Sequence, residues 1–155
     1  MFDLEENHGR HVVPGVVQKL ADAVATITFA KEEVWSYALP ALEAPVAAIS
    51  VGLDGTCLML VDDGWREAMV GTVAFYDRDG ERLHTLYAAA SPKYGKEPFL
   101  ASFEREVERA RAAFPKAPVV GLADGASSNW AFLAQHAERQ AVDFYHVTGY
   151  LTNAA

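Results

Sequence analysis

The sequence predicts an α/β fold in which a mixed five-stranded sheet has helices on its faces and follows an N-terminal helical segment. Two observations support this prediction. The apolar pattern changes from helical spacing to short strand-like runs after a proline-flanked linker at residues 40–45. Beyond it, three strands precede a helix, and hairpins followed by β-α-β crossovers give a mixed sheet. We therefore divide the chain into an N-terminal segment and linker, residues 1–45, and a core, residues 46–155.

The N-terminal segment is predicted to be helical over residues 12–39. Apolar residues recur there at intervals of three or four, which places them on one face of a helix. These residues are Val16, Leu20, Val24 and Ile27. Residues 26–29 are weak helix formers, so we expect a break in the helix at that point.

The first three strands follow the linker. Val46–Leu53 is a short apolar run rich in β-branched residues, and it is predicted to be a buried strand that ends at Asp54-Gly55. The second and third strands are predicted at residues 68–76 and 82–90. Between them, the sequence Asp-Arg-Asp-Gly at residues 77–80 is a hairpin signal, so these two strands should pair antiparallel.

The clearest helix of the chain comes after the third strand. Charged residues cover most of its surface and leave one apolar stripe. This stripe consists of Phe99, Phe103, Val107, Ala110 and Phe114. Pro98 suits the first turn of the helix, and Pro115 ends it.

Two more strands and a helix complete the predicted sheet. The apolar run at residues 118–123 is the fourth strand, and it ends at Asp124-Gly125. Either Ser127 or Ser128 is suited to cap the next helix. The apolar stripe of that helix is predicted to be Trp130, Leu133 and Ala137. Residues 141–144 form the fifth strand.

The composition excludes several classes of protein. The chain has 155 residues and is 51% hydrophobic, which excludes disorder of the whole chain. No apolar run reaches the ~20 residues of a membrane span, and the N-terminus lacks the basic start of a signal peptide. The single cysteine, Cys57, indicates a reducing cytoplasmic location and is expected to be buried. The net charge of −8 argues against nucleic-acid binding through a basic surface alone.

Asp54-Gly55 and Asp124-Gly125 occupy the same position relative to the apolar strands that precede them. If the fourth strand packs beside the first, both run parallel and the two aspartates meet at one edge of the sheet. Two carboxylates at close range repel each other unless a divalent cation lies between them, and Mg²⁺ prefers such oxygen ligands. The pattern therefore indicates metal-assisted phosphoryl transfer. The alternative is two ordinary turns, because Asp-Gly is a common turn sequence.

Asp143 and His146 are the third feature, at the junction of the fifth strand and a last helix that begins near His146. The carboxylate and the imidazole are three residues apart and can face the same side. The histidine would then orient a phosphate, bind a metal or pair with the aspartate. The alternative is that Asp143 caps the last helix and His146 lies in its first turn.

These motifs together resemble the catalytic core of a bacterial insertion-sequence transposase. The segments are VGLDGTC (51–57), DGWREAMVGT (63–72), DRDGERLHTLYAA (77–89), LADGASSNWAFL (122–133) and VDFYHVTGYL (142–151). They resemble the RNase-H-like DDE superfamily, in the branch related to Mutator-type enzymes, over about residues 46–151. The resemblance implies an RNase-H-like mixed sheet of five strands in the order 3-2-1-4-5, with strand 2 antiparallel.

The resemblance also implies roles and partners. Asp54 and Asp124 match the first two catalytic aspartates, which would bind Mg²⁺ (or Mn²⁺) and activate water or a DNA 3′-hydroxyl. Asp143 and His146 match the accessory D-x-x-H signature. The implied activity is Mg²⁺-dependent DNA cleavage and strand transfer in DNA transposition. The implied partners are transposon-end DNA, target DNA and further copies of the chain in a homo-oligomer, without a membrane.

The sequence departs from the family at the third acid, a glutamate on a helix beyond His146. No acidic residue follows Asp143, so the core is expected to be incomplete at its C-terminus and inactive as this chain. Glu138, on the other side of the fifth strand in sequence, is the alternative candidate for this acid. Two alternative functions remain: a remnant or domesticated RNase-H-like binding module without catalysis, and an α/β phosphoesterase that acts on a small substrate.

Overall fold

The computed structural model describes residues 13–32, 38–90, 95–124, 126–142 and 144–154. The chain divides into two units, residues 1–41 and 42–155. The sequence-based boundary, after residue 45, falls in the irregular segment that precedes the first strand. Within the described ranges, no helix combines the length and the apolar character that a membrane span requires.

The described part of the first unit contains helix α1 (Pro14–Glu32). This helix continues through residues 26–29, so the predicted break there is wrong. The Thr26 hydroxyl donates to the backbone carbonyl of Asp22 at 2.8 Å, which satisfies its polar group inside the helix. β-Branched residues cost a helix only about 0.7 kcal/mol or less each, and the remaining residues of α1 outweigh that cost.

The second unit is built on a five-stranded sheet in the order β3-β2-β1-β4-β5. The strands are β1 (Ala48–Leu60), β2 (Gly64–Tyr76), β3 (Arg82–Ala90), β4 (Val119–Ala123) and β5 (Arg139–Val142). β2 pairs antiparallel with β1 and β3, whereas β1, β4 and β5 run parallel. The strand order and directions confirm the predicted α/β class and the RNase-H-like sheet that the resemblance implies.

Helices α2 (Lys96–Ala113) and α3 (Ser127–His136) pack on one face of this sheet, and α4 (Phe144–Ala154) follows β5. The buried residues of α2 belong to the predicted stripe: Phe99, Phe103, Val107 and Ala110. The Phe103 ring also stacks on Phe132 of α3, with centroids 5.8 Å apart. The two helices and the sheet therefore share one apolar core.

Close contact between helices and sheet depends on Gly71 of β2 and Gly121 of β4. A Cβ atom at Gly71 would lie 2.6 Å from the Phe103 ring, and one at Gly121 would lie 3.1 Å from Leu133. A side chain at Gly71 would therefore clash and one at Gly121 would be crowded, so glycine at both positions allows α2 and α3 to approach the strands. The second contact fixes α3 directly beside β4, which matters for the site described below.

The hairpin formed by β1 and β2 is longer than predicted. The first strand does not end at Asp54-Gly55 but continues to Leu60, and antiparallel pairing extends from Asp54↔Val70 to Leu60↔Gly64. The turn is closed by Gly64, whose φ of 69° favours glycine. Cys57 lies in this extension and is exposed, so its predicted burial is also wrong.

The other turns and strands differ less from the prediction. In the β2–β3 hairpin, Asp77 Oδ1 accepts backbone hydrogen bonds from Asp79 and Glu81, both at 2.9 Å, as expected for a tight turn. β5 begins at Arg139, two residues earlier than predicted, because its pairing with β4 starts at Val120↔Arg139. β5 is an exposed edge strand and therefore accommodates polar residues.

Candidate metal centre

Asp54 and Asp124 lie beside each other where the pairing of β1 with β4 ends. The parallel ladder runs from Ile49↔Val119 to Leu53↔Ala123, and each aspartate is the next residue along its chain segment. Neighbouring strands are ~4.8 Å apart, so the two backbones are close at this point. The register therefore places the backbones of the two predicted aspartates at neighbouring positions.

Asp54 lies within β1 and not at its end, opposite Val70 of β2. Side chains alternate along a strand, and Leu53 is buried on the face that α2 and α3 cover. Asp54 consequently lies on the opposite face, where it is exposed. Its Oδ1 accepts a hydrogen bond from the Gly55 backbone N–H at 2.7 Å. Antiparallel pairing with β2 holds Asp54 within the extended β1–β2 hairpin.

Asp124 follows β4, and its carboxylate is turned toward the start of α3. Its Oδ1 accepts hydrogen bonds from the Ala126 backbone N–H at 3.0 Å and from Asn129 Nδ2 at 3.2 Å. Ala126 is the N-cap residue of α3 and makes no side-chain cap hydrogen bond, so the predicted cap by Ser127 or Ser128 is wrong. The Asp124 carboxylate is thus held by hydrogen bonds from residues that follow it in the sequence.

Asn129 also contacts Asp124, although it is not among the site residues predicted from the sequence. The buried stripe of α3 is displaced by one position from the predicted one and consists of Asn129, Phe132, Leu133 and His136. Asn129 lies three residues before Phe132 and four before Leu133, so it shares their helix face although it is polar. That mismatch is the signal in the sequence that points to a special role.

Lys96, the first residue of α2, brings a positive charge to the same edge of the sheet. Its Nζ donates to Ser128 Oγ of α3 at 2.8 Å and lies 3.8 Å from Glu67 Oε2 of β2. Ser128 belongs to the first turn of the helix that follows Asp124. No sequence signal identifies Lys96, because its position depends on a contact between residues 32 positions apart.

Of the accessory candidates, Asp143 lies outside the described residues. His146 is exposed on α4, which begins two residues earlier, at Phe144. In the part of the chain that the structure describes, no group of three or more His, Cys, Asp or Glu side chains is arranged to hold a metal. His146 therefore does not complete such a group with Asp54 and Asp124.

Glu138 lies beside the N-terminal end of β4, whereas the two aspartates lie beyond the C-terminal end of the β1–β4 pairing. Its backbone N–H donates to the Val119 carbonyl at 3.0 Å, and its carboxylate accepts from the Val119 N–H. Val119 begins β4 and Asp124 follows its end, so at ~3.3 Å per residue the two sites are about 16 Å apart. Glu138 fixes the start of β4 and does not substitute for the third acid.

Comparison with known proteins gives no family assignment, since no family model and no curated protein match the chain. Among solved structures, it is similar to a foamy viral protease-reverse transcriptase in complex with an RNA/DNA hybrid (11% identity, TM-score 0.37, 78% of this chain). It is also similar to LC11-RNase H1 in complex with an RNA/DNA hybrid (12% identity, TM-score 0.32, 61% of this chain). The matches span 21% and 83% of those proteins, respectively. With both TM-scores below 0.5, the fold assignment rests on strand order and direction.

Proposed function

We propose that the second unit is the catalytic core of an RNase-H-like DDE transposase, in which Asp54 and Asp124 bind Mg²⁺ (or Mn²⁺). The observation that supports this is the register of β1 and β4, in which the aspartates directly follow the pair Leu53↔Ala123. Two carboxylates placed side by side repel each other, and a divalent cation between them removes that repulsion. Two unrelated turn residues would not need to share this position.

The donor set fits one hard divalent ion. Mg²⁺ is usually held by one or two carboxylates, with water and substrate phosphates as its other ligands. A bound ion supplies Lewis-acid activation of a phosphodiester and of the attacking oxygen. The chain's own contribution is to fix the carboxylates: the β1–β2 hairpin holds Asp54, and the Ala126 N–H and Asn129 amide orient Asp124.

The proposed substrates are transposon-end and target DNA, and the proposed reaction is DNA cleavage with strand transfer in a homo-oligomer. Asp143 and His146 are proposed as accessory residues. Because the described residues place no third carboxylate at the aspartate pair, this chain alone is expected to bind the ion loosely and to cleave DNA slowly or not at all.

The proposal is tested by calorimetric titration of Mg²⁺ and Mn²⁺ into the intact chain, with and without duplex DNA. We expect one ion per chain, bound more tightly when DNA supplies phosphate oxygens as further ligands. Absence of metal binding in both cases would contradict the proposal and favour a binding module without catalysis. Hydrolysis of a small phosphoester without any effect on DNA would favour the phosphoesterase alternative.

Replacing Lys96 by alanine is expected to weaken DNA binding and to lower the salt dependence of log K by about one unit, as for the loss of one phosphate contact. Lys96 is a basic residue that contacts Ser128, in the first turn of the helix after Asp124, in a chain with a net charge of −8. The measurement is fluorescence anisotropy of a labelled duplex between about 50 and 200 mM salt.

The matched control is Lys116→Ala, which removes the same charge from an exposed turn just before β4, at the opposite edge of the sheet. This variant should bind DNA like the unmodified chain. Equal losses in the two variants would mean that DNA does not bind at the edge formed by Asp54, Asp124 and Lys96. Thermal unfolding of both variants checks that the loss of the Lys96–Ser128 contact leaves the fold intact.

A further inference from the structure

Asn129 is a buried polar residue in an otherwise largely apolar contact between α3 and the sheet. Its exposed fraction is 1%, and it lies in the same stripe as Phe132 and Leu133. Its Oδ1 is buried and accepts no hydrogen bond from any residue that the structure describes. A buried amide oxygen without a donor destabilises the folded state relative to an apolar side chain of similar size. Packing therefore does not explain why asparagine occupies this position.

The hydrogen bond from Asn129 to Asp124 provides an explanation. Asn129 Nδ2 donates to Asp124 Oδ1 at 3.2 Å, and the Ala126 backbone N–H donates to the same oxygen at 3.0 Å. The amide orientation follows from the chemistry of the pair, because a carboxylate only accepts and a flipped amide would set two acceptors against each other. Two donors on one oxygen restrict rotation of the carboxylate about its side-chain bonds.

The rigid support for Asn129 comes from the packing of α3. Leu133, one turn further along the helix, lies against Gly121 of β4, where a Cβ atom would be 3.1 Å away. Phe132 packs on Phe103 of α2. The helix that positions the Asn129 amide is thus fixed to the same strand that ends at Asp124, so the distance between amide and carboxylate is set by the core.

We propose that Asn129 is a positioning residue, which orients the Asp124 carboxylate for a divalent cation and is retained at a cost in stability. This inference rests on the proposed function and adds a residue outside the ion's own ligands. Hydrogen-bond partners of metal ligands typically change metal affinity by about 10- to 100-fold when they are removed. A purely structural role predicts lower stability on replacement of Asn129, whereas a positioning role predicts lower metal affinity without lower stability.

The experiment uses Asn129→Leu and Asn129→Ala in the intact chain, with Mn²⁺ as the probe. Unfolding midpoints are measured without metal, and Mn²⁺ affinity is measured by calorimetry at a temperature where every variant is folded. We expect Asn129→Leu to unfold at the same or a higher temperature and to bind Mn²⁺ about 10- to 100-fold more weakly. Asn129→Ala should show the same loss of affinity, with a lower midpoint because of the cavity it leaves.

Two control variants separate the possible outcomes. Val107→Ala removes a buried side chain of α2 that does not support Asn129, and it should lower the midpoint but leave Mn²⁺ affinity unchanged. Asp124→Asn tests the metal site itself: if it binds Mn²⁺ like the unmodified chain, the proposed function fails, whatever Asn129 does. If Asp124→Asn loses affinity while both Asn129 variants keep it, the inference about Asn129 is overturned and the metal site remains. If Asn129→Leu unfolds as easily as Val107→Ala and keeps its affinity, Asn129 is a structural residue only.

Discussion

Replacing Asp124 by asparagine is expected to lower the affinity for Mn²⁺ or Mg²⁺ by about 100-fold or more. The ion would lose one of its two anionic ligands, and a 100-fold loss corresponds to about 2.7 kcal/mol, well within the Coulomb energy of a close charge pair. Asparagine has nearly the same shape and keeps an oxygen that accepts from Ala126 and Asn129. The fold should therefore persist, and without metal it should be equally or more stable, because repulsion from Asp54 is removed.

The Asp54→Asn variant should show a comparable loss, and the double variant should lose little more than either single variant, because each one already disrupts the shared site. Asp79→Asn is the matched control. Asp79 is also followed by glycine, is exposed and lies in the β2–β3 turn at the other edge of the sheet. Calorimetry should give unchanged affinity for this variant. An equal loss of metal affinity in Asp79→Asn would mean that metal affinity depends on the overall charge of the chain and not on a site at Asp54 and Asp124.

Replacing Phe103 by alanine is expected to destabilise the second unit by about 3–5 kcal/mol, the range for large aromatic residues in a core. Phe103 is 1% exposed, stacks on Phe99 and Phe132 at 5.6 and 5.8 Å, and lies over Gly71. Its removal leaves a cavity between both helices and the sheet, which neither helix can close alone. Urea unfolding monitored by circular dichroism measures the loss.

Phe114→Ala is the comparison for this prediction. Phe114 follows α2, is half-buried and contacts the Phe75 ring at 5.3 Å. Because it is partly solvated already and contacts one edge of the core, its replacement should cost clearly less than that of Phe103. A loss for Phe103→Ala no larger than for Phe114→Ala would contradict a core centred on Phe103.

Local patterns predicted most of the sheet. The third strand has the predicted bounds, and the Asp77–Gly80 hairpin forms as expected, because turn residues and alternating apolar residues act over a few positions. The length of β1 could not be predicted in this way. Asp54-Gly55 is by itself a turn sequence, and its extended conformation depends on pairing with Met69 and Val70 of another strand.

The residues of the candidate site also differ in how far local sequence patterns predict their positions. The neighbouring positions of Asp54 and Asp124 could be predicted, because both follow apolar runs and parallel strands bring such positions together, whereas their role as metal ligands stays a proposal. Asn129 could not, because a shift of one residue in the buried face of α3 moves it from the surface to the core. The location of Lys96 depends on how the starts of two helices pack together, which no short sequence pattern specifies.

We propose that Asp54 and Asp124 together bind one divalent ion. Diffraction from crystals grown in Mn²⁺, with data collected to show anomalous scattering from the metal, tests this proposal. We expect one Mn²⁺ peak within coordination distance of both carboxylates, with Asn129 Nδ2 still hydrogen-bonded to Asp124. Carboxylates more than roughly 10 Å apart, too far for metal ions to bridge, or no anomalous peak at the pair in saturating Mn²⁺, would contradict the claim.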